Sequence, residues 1–508
     1  MSSTTAAHDP DATSRSHADR PVLFAVAAAV ALVHLLTNGR YGFHRDEWQF
    51  LSDASHLDWG FVAYPPVTPF LERVSLSIFG LSMVGLRLFS VLAQSAAIFV
   101  SGLMAYELGG RRIAQLATAL AVALSPLPLF QGTEFQYSSF DYLWWVLAAY
   151  FVIKLLKLED ARWCVAIGGV VGIGLMTKYS IAFFVAGILA GLIFTPARRY
   201  LASRWFWIGI TLALLLCLPN IVWQARHGFI SWHFLQYIHA RDIRWGRAKG
   251  FFVKQLWICT NLYSVPLWIT GAIGYLRSPR YRMLAFMYLV PLAYFVAAKG
   301  IFYYLAPAYP MLIAEGAAMG ERWVIGLRPW GRRAVVAVLF TGLAGAGMYG
   351  AAIVLPLATG GPLMRFALDQ NDTLREEIGW PELVKSVAEI RDKLPQEQRQ
   401  SLGVLVGNYG EQGAIEMLGP AYHLPLPISM TNSAWLRGYP TPQPSTLIVV
   451  GFSQKSADKA FTSCRLAGHN GDAKVLKNEE SEWHPDIFVC GPPRLPWAQF
   501  WKEYQSFG

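Results

Sequence analysis

The chain has 508 residues, of which 54% are apolar and only 15% are charged, and its mean hydropathy is +0.33. A charged fraction this far below the usual quarter excludes an ordinary soluble enzyme, and apolar runs long enough to cross a bilayer core of about 30 Å recur along the chain. The formal net charge of +10 does not indicate nucleic-acid binding, because most of the excess Lys and Arg lies in short loops between apolar runs. The sequence therefore predicts a polytopic membrane protein.

Residues 1–20 are polar and contain too few apolar side chains to pack, so we expect a disordered cytoplasmic leader. The apolar run 21–36 that follows lacks an evident small-x-small cleavage site. A retained first transmembrane helix is therefore favoured, with a cleaved signal peptide as the alternative.

About eleven transmembrane helices are predicted, so the fold class of residues 21–357 is an all-α polytopic membrane domain. The predicted spans are 21–36, 84–108, 113–130, 142–156, 163–176, 181–194, 205–223, 253–276, 283–298, 305–319 and 334–357. Loops rich in Arg and Lys follow every second span and share one side of the membrane, which the positive-inside rule makes cytoplasmic. The N-terminus then lies inside, and residues 358–508 lie outside.

Two outer loops are long. The first, 37–83, contains amphipathic pieces with Trp48, Trp59 and Tyr64, which predict short helices at the membrane interface. The second, 224–252, carries five basic residues, Arg226, Arg241, Arg244, Arg247 and Lys249. A basic loop on the outer side needs an anionic partner, or the exemption that long loops have from the orientation rule.

The tail, 358–508, differs in composition and predicts a periplasmic α/β domain. A helix is predicted from Pro381 to the residues before Pro395. Strands are predicted at 402–406, 446–450 and 486–489, and a second helix at 411–418. Gly407, Gly410 and Gly413 are spaced like a loose phosphate loop, although turn or packing glycines are the favoured interpretation.

The densest polar cluster of the membrane half is His44-Arg45-Asp46-Glu47, directly after the first span. A carboxylate near hydrocarbon is disfavoured unless it is solvated or paired, and partial burial raises its pKa towards that of a general base. The alternative is a solvated interfacial loop whose charge is compensated by Arg45.

Several short motifs follow this cluster in order. They are Leu57-Asp58-Trp59, Tyr64-Pro65-Pro66, Phe79-Gly80, Arg87, Met176-Thr177-Lys178-Tyr179, the stretch 218–224, and the stretch 299–310 with Tyr303-Tyr304. In their order and spacing the chain resembles bacterial polyprenyl-phosphate-sugar glycosyltransferases of the GT-C class. This class includes the protein O-mannosyltransferases, the lipid A aminoarabinose transferases and the rhizobial galacturonosyltransferases. The tail resembles bacterial members more loosely, at 378–382 and 407–410.

The resemblance implies a GT-C type membrane domain in the bacterial inner membrane. It also implies transfer of a sugar, with inversion, from a polyprenyl phosphate to an envelope acceptor at the periplasmic face. That acceptor would be lipid A, lipopolysaccharide, another glycan or a protein. Asp46 would be the catalytic base that deprotonates the acceptor, and Glu47 would hold or tune it. Arg87 would line the substrate cavity.

Cations at the outer membrane edge would stabilise the leaving lipid phosphate, because its negative charge grows in the transition state. Lys178 is the first candidate for binding the donor phosphate, and its alternative role is snorkelling from a helix end. Lys299 and the group of Arg241, Arg244 and Arg247 are second candidates.

Asp141 is expected in the same cavity, since the third and fourth spans meet outside at this point, and an N-cap of the fourth span is its alternative role. Tyr303 and Tyr304 are expected to divide between two roles, one contacting substrate and the other belonging to the interfacial aromatic belt.

No cofactor is predicted, and a divalent metal stays open. His44, Asp46 and Glu47 offer suitable atoms, but residues so close in sequence do not form a cage. Cys464 and Cys490 of the tail are candidates for a disulfide, with two buried thiols as the alternative.

The competing function is a polytopic lipid or sugar transporter or flippase, which should show two similar halves and polar groups near mid-membrane. The sequence shows no internal repeat, and its polar residues gather at the outer ends of spans. A non-catalytic glycan-binding family member is a third possibility, against which the presence of Asp46, Glu47 and Lys178 argues.

Overall fold

The computed structural model describes residues 18–471 and 478–508, so most of the expected leader 1–20 lies outside the described residues. The membrane half contains helices α1 (Arg20–Thr37), α2 (Arg45–Ser55), α3 (Val67–Phe79), α4 (Met83–Glu107), α5 (Arg112–Ala123), α6 (Pro126–Phe130), α7 (Tyr137–Leu158), α8 (Trp163–Leu175), α9 (Ile181–Phe194), α10 (Arg204–Arg226), α11 (Ile230–Arg244), α12 (Phe251–Trp257), α13 (Val265–Arg277), α14 (Arg282–Ala297), α15 (Tyr309–Ile325) and α16 (Pro329–Val354). Three 3-10 helices join this series, at Pro196–Ala202, Leu262–Ser264 and Phe302–Ala308.

Every predicted span coincides with one or two of these helices. Among the described residues, five helices are alone long and apolar enough to cross a membrane: α1, α4, α7, α10 and α16. Two bent pairs, α9 with Pro196–Ala202 at 101° and α12 with Leu262–Arg277 at 93°, raise this number to seven. The multi-helix membrane architecture is confirmed, while eleven crossings stay a prediction.

The helices of the bundle pack closely at glycines. A Cβ added at Gly316 of α15 would overlap the carbonyl of Leu267 in α13, and one added at Gly271 would overlap that of Leu312. Gly168 of α8 and Gly209 of α10 make a similar contact. Small residues allow such backbone contacts, which replace the hydrophobic driving force that lipid cannot supply between helices.

The basic loops gather at one end of the bundle. Arg280 Nε donates a hydrogen bond to the carbonyl of Leu156 at 2.9 Å, and Arg199 pairs with Glu159 at 3.3 Å. Lys154 Nζ lies 3.0 Å from a carboxylate oxygen of Glu107. These loops therefore share one end, as the alternation of charge along the sequence predicts.

The tail forms a layered α/β unit. Its helices are α17 (Gly361–Gln370), α18 (Trp380–Asp392), α19 (Gln396–Gln400), α20 (Tyr409–Leu418), α21 (Asn432–Leu436), α22 (Gln454–Ala460), α23 (Glu479–Trp483) and α24 (Trp497–Glu503). Its strands are β1 (Leu402–Val406), β2 (Pro427–Ser429), β3 (Thr446–Val450), β4 (Arg465–His469) and β5 (Asp486–Cys490). The sheet order is β2-β1-β3-β5-β4. Strands β1, β2 and β3 are parallel, and β5 is antiparallel to both of its neighbours, β3 and β4.

The three predicted strands and two predicted helices of the tail are confirmed. The sequence did not show β2, which has only three residues, or β4, whose side chains are largely exposed. Both strands occupy edges of the sheet, where burial is one-sided and the apolar pattern is weak.

Helix α2 is buried along most of its length. Eight consecutive residues from Glu47 to Ala54 are buried, and α20 of the tail packs against the helix. The position of α2 at the membrane interface stays a prediction. The contact is close at Gly413 of α20, where an added Cβ would overlap the carbonyl of Trp48. Gly413 is therefore a packing glycine, and α2 joins the membrane half to the tail.

We expect Gly413→Ala to push α20 away from α2 and to lower the free energy of unfolding by about 1–3 kcal/mol, as overpacking does. Gly345→Ala is the matched control, because this helical glycine of α16 has no atom within 4 Å of an added Cβ. Thermal unfolding of the purified protein in detergent measures both. Equal melting temperatures for wild type and Gly413→Ala would contradict the close contact.

Candidate active site

A cavity of about 2430 Å³ lies between one end of the helical bundle and the tail. The membrane half supplies residues of α2, α7, α11, α12 and α16 to its wall. The tail supplies Asn408, Tyr409 and Asn432, which follow the carboxyl ends of β1 and β2. Ligands of open α/β sheets bind at such strand ends, so both halves contribute suitable surface to one space.

Asp46 lines this cavity in the first turn of α2. The helix begins with a capping box: Nδ1 of His44 accepts from Asp46 N at 3.1 Å, and Oε2 of Glu47 accepts from His44 N at 2.7 Å. Asp46 Oδ2 accepts from Gln136 Nε2 at 2.7 Å, and Oδ1 accepts from the Tyr409 hydroxyl at 2.9 Å. The carboxylate is thus held from α7 and from the tail.

The pKa of Asp46 lies below its ordinary value. Burial raises it, but the charges of His44 and Arg45 and the hydrogen bonds from Gln136 and Tyr409 together outweigh burial. The carboxylate is therefore ionised at neutral pH. Burial lowers the pKa of His44, and its Nδ1 accepts the backbone hydrogen bond at the start of α2.

Glu47 lies behind Asp46 and outside the cavity lining. Its carboxylate accepts two hydrogen bonds from Arg87, at 2.8 and 2.7 Å, and a third from Phe135 N at 2.7 Å. Arg87 also donates to Glu377 at 3.3 Å and to the carbonyls of Asn38 and Gly42, each at 2.8 Å. Both charged side chains are almost fully buried.

The expected place of Arg87 in the substrate cavity does not match this position. Its guanidinium is fully buried and donates its hydrogen bonds to the loop before α2 and to the tail. Sequence places Arg87 at the correct end of α4 but does not show which way its side chain points.

Lys178 lies in the loop between α8 and α9 and lines the cavity. Its Nζ lies 4.7, 5.1 and 4.9 Å from the ring centres of Tyr137, Tyr303 and Tyr304. Such contacts stabilise a cation through the negative faces of the rings. Both tyrosines of the 303–304 pair therefore contact Lys178 and line the cavity, rather than dividing between site and belt.

Burial lowers the pKa of Lys178 to about 8, and the charge of Asp141 opposes this shift. Asp141 accepts hydrogen bonds from Ser180 Oγ at 2.8 Å and from Trp145 Nε1 at 3.1 Å. It is buried and lies outside the cavity lining, and α7 already begins at Tyr137, so it is neither a wall residue nor an N-cap. Its place is beneath the Lys178 loop.

Some of the remaining predicted cations line the cavity and one does not. Lys299 is exposed and lines the cavity, as do Arg241 and Arg247, which both pair with Asp242 at 3.4 and 3.5 Å. Arg244 is exposed and lies outside the lining, because it occupies the other face of α11. The basic outer loop therefore presents Arg241 and Arg247 to the cavity in place of Arg244.

Two further expectations concern a disulfide in the tail and a metal site. Cys464, directly before β4, and Cys490, the last residue of β5, form a disulfide in the tail. In the part of the chain that the structure describes, no group of three or more His, Cys, Asp or Glu side chains is arranged to hold a metal ion.

Sequence reasoning missed Tyr409, Gln136 and Asn432. From the sequence, 407–410 is only a stretch of looser resemblance with possible turn glycines, and Gln136 is not singled out. A turn sequence at the carboxyl end of a predicted parallel strand is the signal that indicates Tyr409 and Asn408.

Comparisons with known proteins match part of the chain at the level of sequence. A family model described as dolichyl-phosphate-mannose-protein mannosyltransferase matches residues 63–223. Lipid A galacturonosyltransferase RgtD of Rhizobium johnstonii is 29% identical over 191 residues, which are 36% of this chain and 39% of that protein. The matched part thus spans about two fifths of this curated relative.

Solved structures match over most of the chain. ArnT from Cupriavidus metallidurans, bound to undecaprenyl phosphate, superposes with a TM-score of 0.57 at 15% identity, covering 92% of this chain and 97% of ArnT. The mycobacterial arabinofuranosyltransferase AftD superposes with a TM-score of 0.52 at 14% identity, covering 94% of this chain and 42% of AftD. The chain has the GT-C fold. The resemblance to GT-C glycosyltransferases is therefore confirmed.

Within this GT-C fold, motifs that are far apart in sequence contact one another. Trp223 Nε1 donates to Asp58 at 2.7 Å, and Asn220 Nδ2 donates to the carbonyl of Trp59 at 2.9 Å. Tyr179 donates to Asn220 at 3.0 Å. The first outer loop, the Lys178 loop and the end of α10 are thereby joined around the cavity.

Arg87→Met should lower the free energy of unfolding by about 3–5 kcal/mol, because it leaves the buried carboxylates of Glu47 and Glu377 without their cation. The matched control is Arg73→Met, at an exposed arginine of α3. Thermal unfolding in detergent distinguishes the two variants. Similar melting temperatures for both would show that the buried ion pairs do not support the fold.

Proposed function

We propose that the chain is an inner-membrane glycosyltransferase that moves a sugar from a polyprenyl-phosphate donor to an envelope acceptor, with inversion. One observation carries this proposal. The ionised carboxylate of Asp46 and the ammonium of Lys178, which is surrounded by tyrosine rings, both line one large cavity. A base and a phosphate-binding cation are the two groups that this reaction needs.

Apolar side chains support a lipid-linked donor. The cavity wall continues from Lys178 along α6, α12 and α16, with Leu127, Phe130, Trp257 and Ile353 among its residues. A polyprenyl chain would bind along this apolar wall and leave its phosphate beside Lys178. The structural relative ArnT was solved with undecaprenyl phosphate, which agrees with a donor of this class.

The chemistry follows from the placement of charges. Asp46 takes the proton of an acceptor hydroxyl as its oxygen attacks C1 of the sugar from the face opposite the phosphate. The bond between C1 and the phosphate oxygen breaks, and the phosphate keeps the electron pair. Lys178 and its neighbouring cations then stabilise the growing negative charge, which lowers the barrier more than it favours substrate binding.

Lipid A is the first acceptor to consider, because RgtD is a lipid A galacturonosyltransferase. Arg241, Arg247 and Lys299 line the cavity and suit an anionic glycolipid. By the positive-inside rule, the charge of the loops favours a cytoplasmic position for the basic end of the bundle, so the cavity and the tail would face the periplasm.

Asp46→Asn should abolish transfer while the protein stays folded, because it removes the base with little change in volume. The measurement is mass spectrometry of envelope glycolipids and polyprenyl-phosphate sugars from cells that carry wild type, no protein or the variant. We expect one glycoform to disappear in both deficient strains and the lipid-linked donor to accumulate. Asp458→Asn, at an exposed residue of α22, is the control, and wild-type glycolipids with Asp46→Asn would remove Asp46 as the base.

Binding of undecaprenyl phosphate should weaken as pH rises from about 7.5 to about 9.5, up to tenfold per unit above the pKa of Lys178 near 8. Below this pKa the ammonium is charged and binds phosphate; above it the charge is lost. Lys178→Arg should bind throughout this range, and Lys178→Met should bind weakly at every pH. A wild-type affinity that does not change with pH would place the phosphate elsewhere.

A further inference from the structure

Helix α2 and the tail are joined by a buried polar network beside Asp46. Ser52 Oγ donates to Glu416 of α20 at 2.6 Å, and Gln412 Nε2 donates to Ser52 Oγ at 2.8 Å. Arg437 pairs with Asp53 at 2.8 Å, and Asp53 also accepts from Tyr64 at 2.6 Å. Because almost all of these groups are buried and mutually satisfied, they fix the position of α20 against α2.

Tyr409 begins α20 and is therefore placed by this network. The side chain of Asn408 caps the helix by accepting from Glu411 N at 2.9 Å, and the Glu411 carboxylate in turn accepts from Asn408 N at 3.3 Å. Arg45 of α2 lies over the Tyr409 ring, 5.5 Å from its centre. With its ring held on α2, the hydroxyl of Tyr409 donates to Asp46 Oδ1.

This hydrogen bond joins two distant parts of the sequence, α2 in the first outer loop and the residues that follow β1 in the tail. Gln136, the other donor to Asp46, comes from the membrane half. Among the described residues, Gln136 is then the one side-chain donor left to Asp46 without the tail, so its carboxylate is held less firmly. Hydrogen bonds to the charged form also favour ionisation, so loss of one makes the carboxylate easier to protonate.

We propose that Tyr409 is a positioning residue for Asp46, so that the α/β tail completes the catalytic centre and does not merely cover it. This inference rests on the proposed role of Asp46 as the base. It assigns the tail a part in the reaction that neither the motifs nor the relatives assign to it.

The first measurement follows the protonation of Asp46 itself. Infrared difference titration of the purified full-length protein, wild type against Asp46→Asn, isolates the carboxyl band of Asp46 without any substrate. In Tyr409→Phe, titrated against Tyr409→Phe with Asp46→Asn, we expect the midpoint to rise by about one pH unit. Tyr422→Phe, at an exposed tyrosine of the tail, is the matched control and should leave the midpoint unchanged.

The second measurement is sugar transfer. In Tyr409→Phe we expect kcat to fall about tenfold at neutral pH, because the carboxylate is no longer oriented by the tail, with the KM for the lipid-linked donor unchanged. If Tyr409→Phe does not fold, Asn408→Ala replaces it, because loss of the cap loosens the first turn of α20, and with it the position of Tyr409, without removing the tyrosine side chain.

The two measurements separate the two proposals. An unchanged Asp46 midpoint in Tyr409→Phe overturns the positioning role, whatever the transfer rate. A raised midpoint supports the positioning role even if Asp46→Asn still transfers sugar, and in that case the assignment of Asp46 as the base fails instead.

Discussion

The buried guanidinium of Arg87 constrains the whole arrangement. It belongs to α4, yet it binds Glu47 at the start of α2 and Glu377 before α18, together with two carbonyls of the first outer loop. A buried charge is tolerated only when its partners are close and well oriented. The membrane helix, the first outer loop and the tail must therefore meet in one geometry, and that geometry brings Asp46 to the cavity wall.

Two electrostatic environments follow from this geometry. Asp46 is held as a carboxylate because neighbouring charges and hydrogen bonds from both halves outweigh its burial. Lys178 is surrounded by tyrosine rings, and burial brings its pKa to about 8. Asp46 is thus firmly in its charged form, whereas Lys178 loses its proton easily. A bound phosphate would raise the pKa of Lys178 and so favour its charged form.

The sequence predicted the cavity residues unevenly. Asp46, Lys178, Tyr303 and Tyr304 all line it, since each lies at the outer end of a predicted span. Glu47 of α2 and Arg244 of α11 lie outside the lining, because neighbours on a helix project about 100° apart. Depth in the membrane can be read from hydropathy, whereas the direction of a side chain depends on which helix packs against it.

Hydropathy and charge by themselves determined the helical membrane half, the end of the bundle at which polar chemistry gathers and the main strands of the tail. Those features depend on local composition, because each helix or strand must bury an apolar face. Only the tertiary structure decided that α2 is buried under the tail, that Arg87 is an internal ion-pair partner and that Tyr409 binds Asp46. These contacts join residues hundreds of positions apart, and their geometry depends on packing that no local pattern encodes.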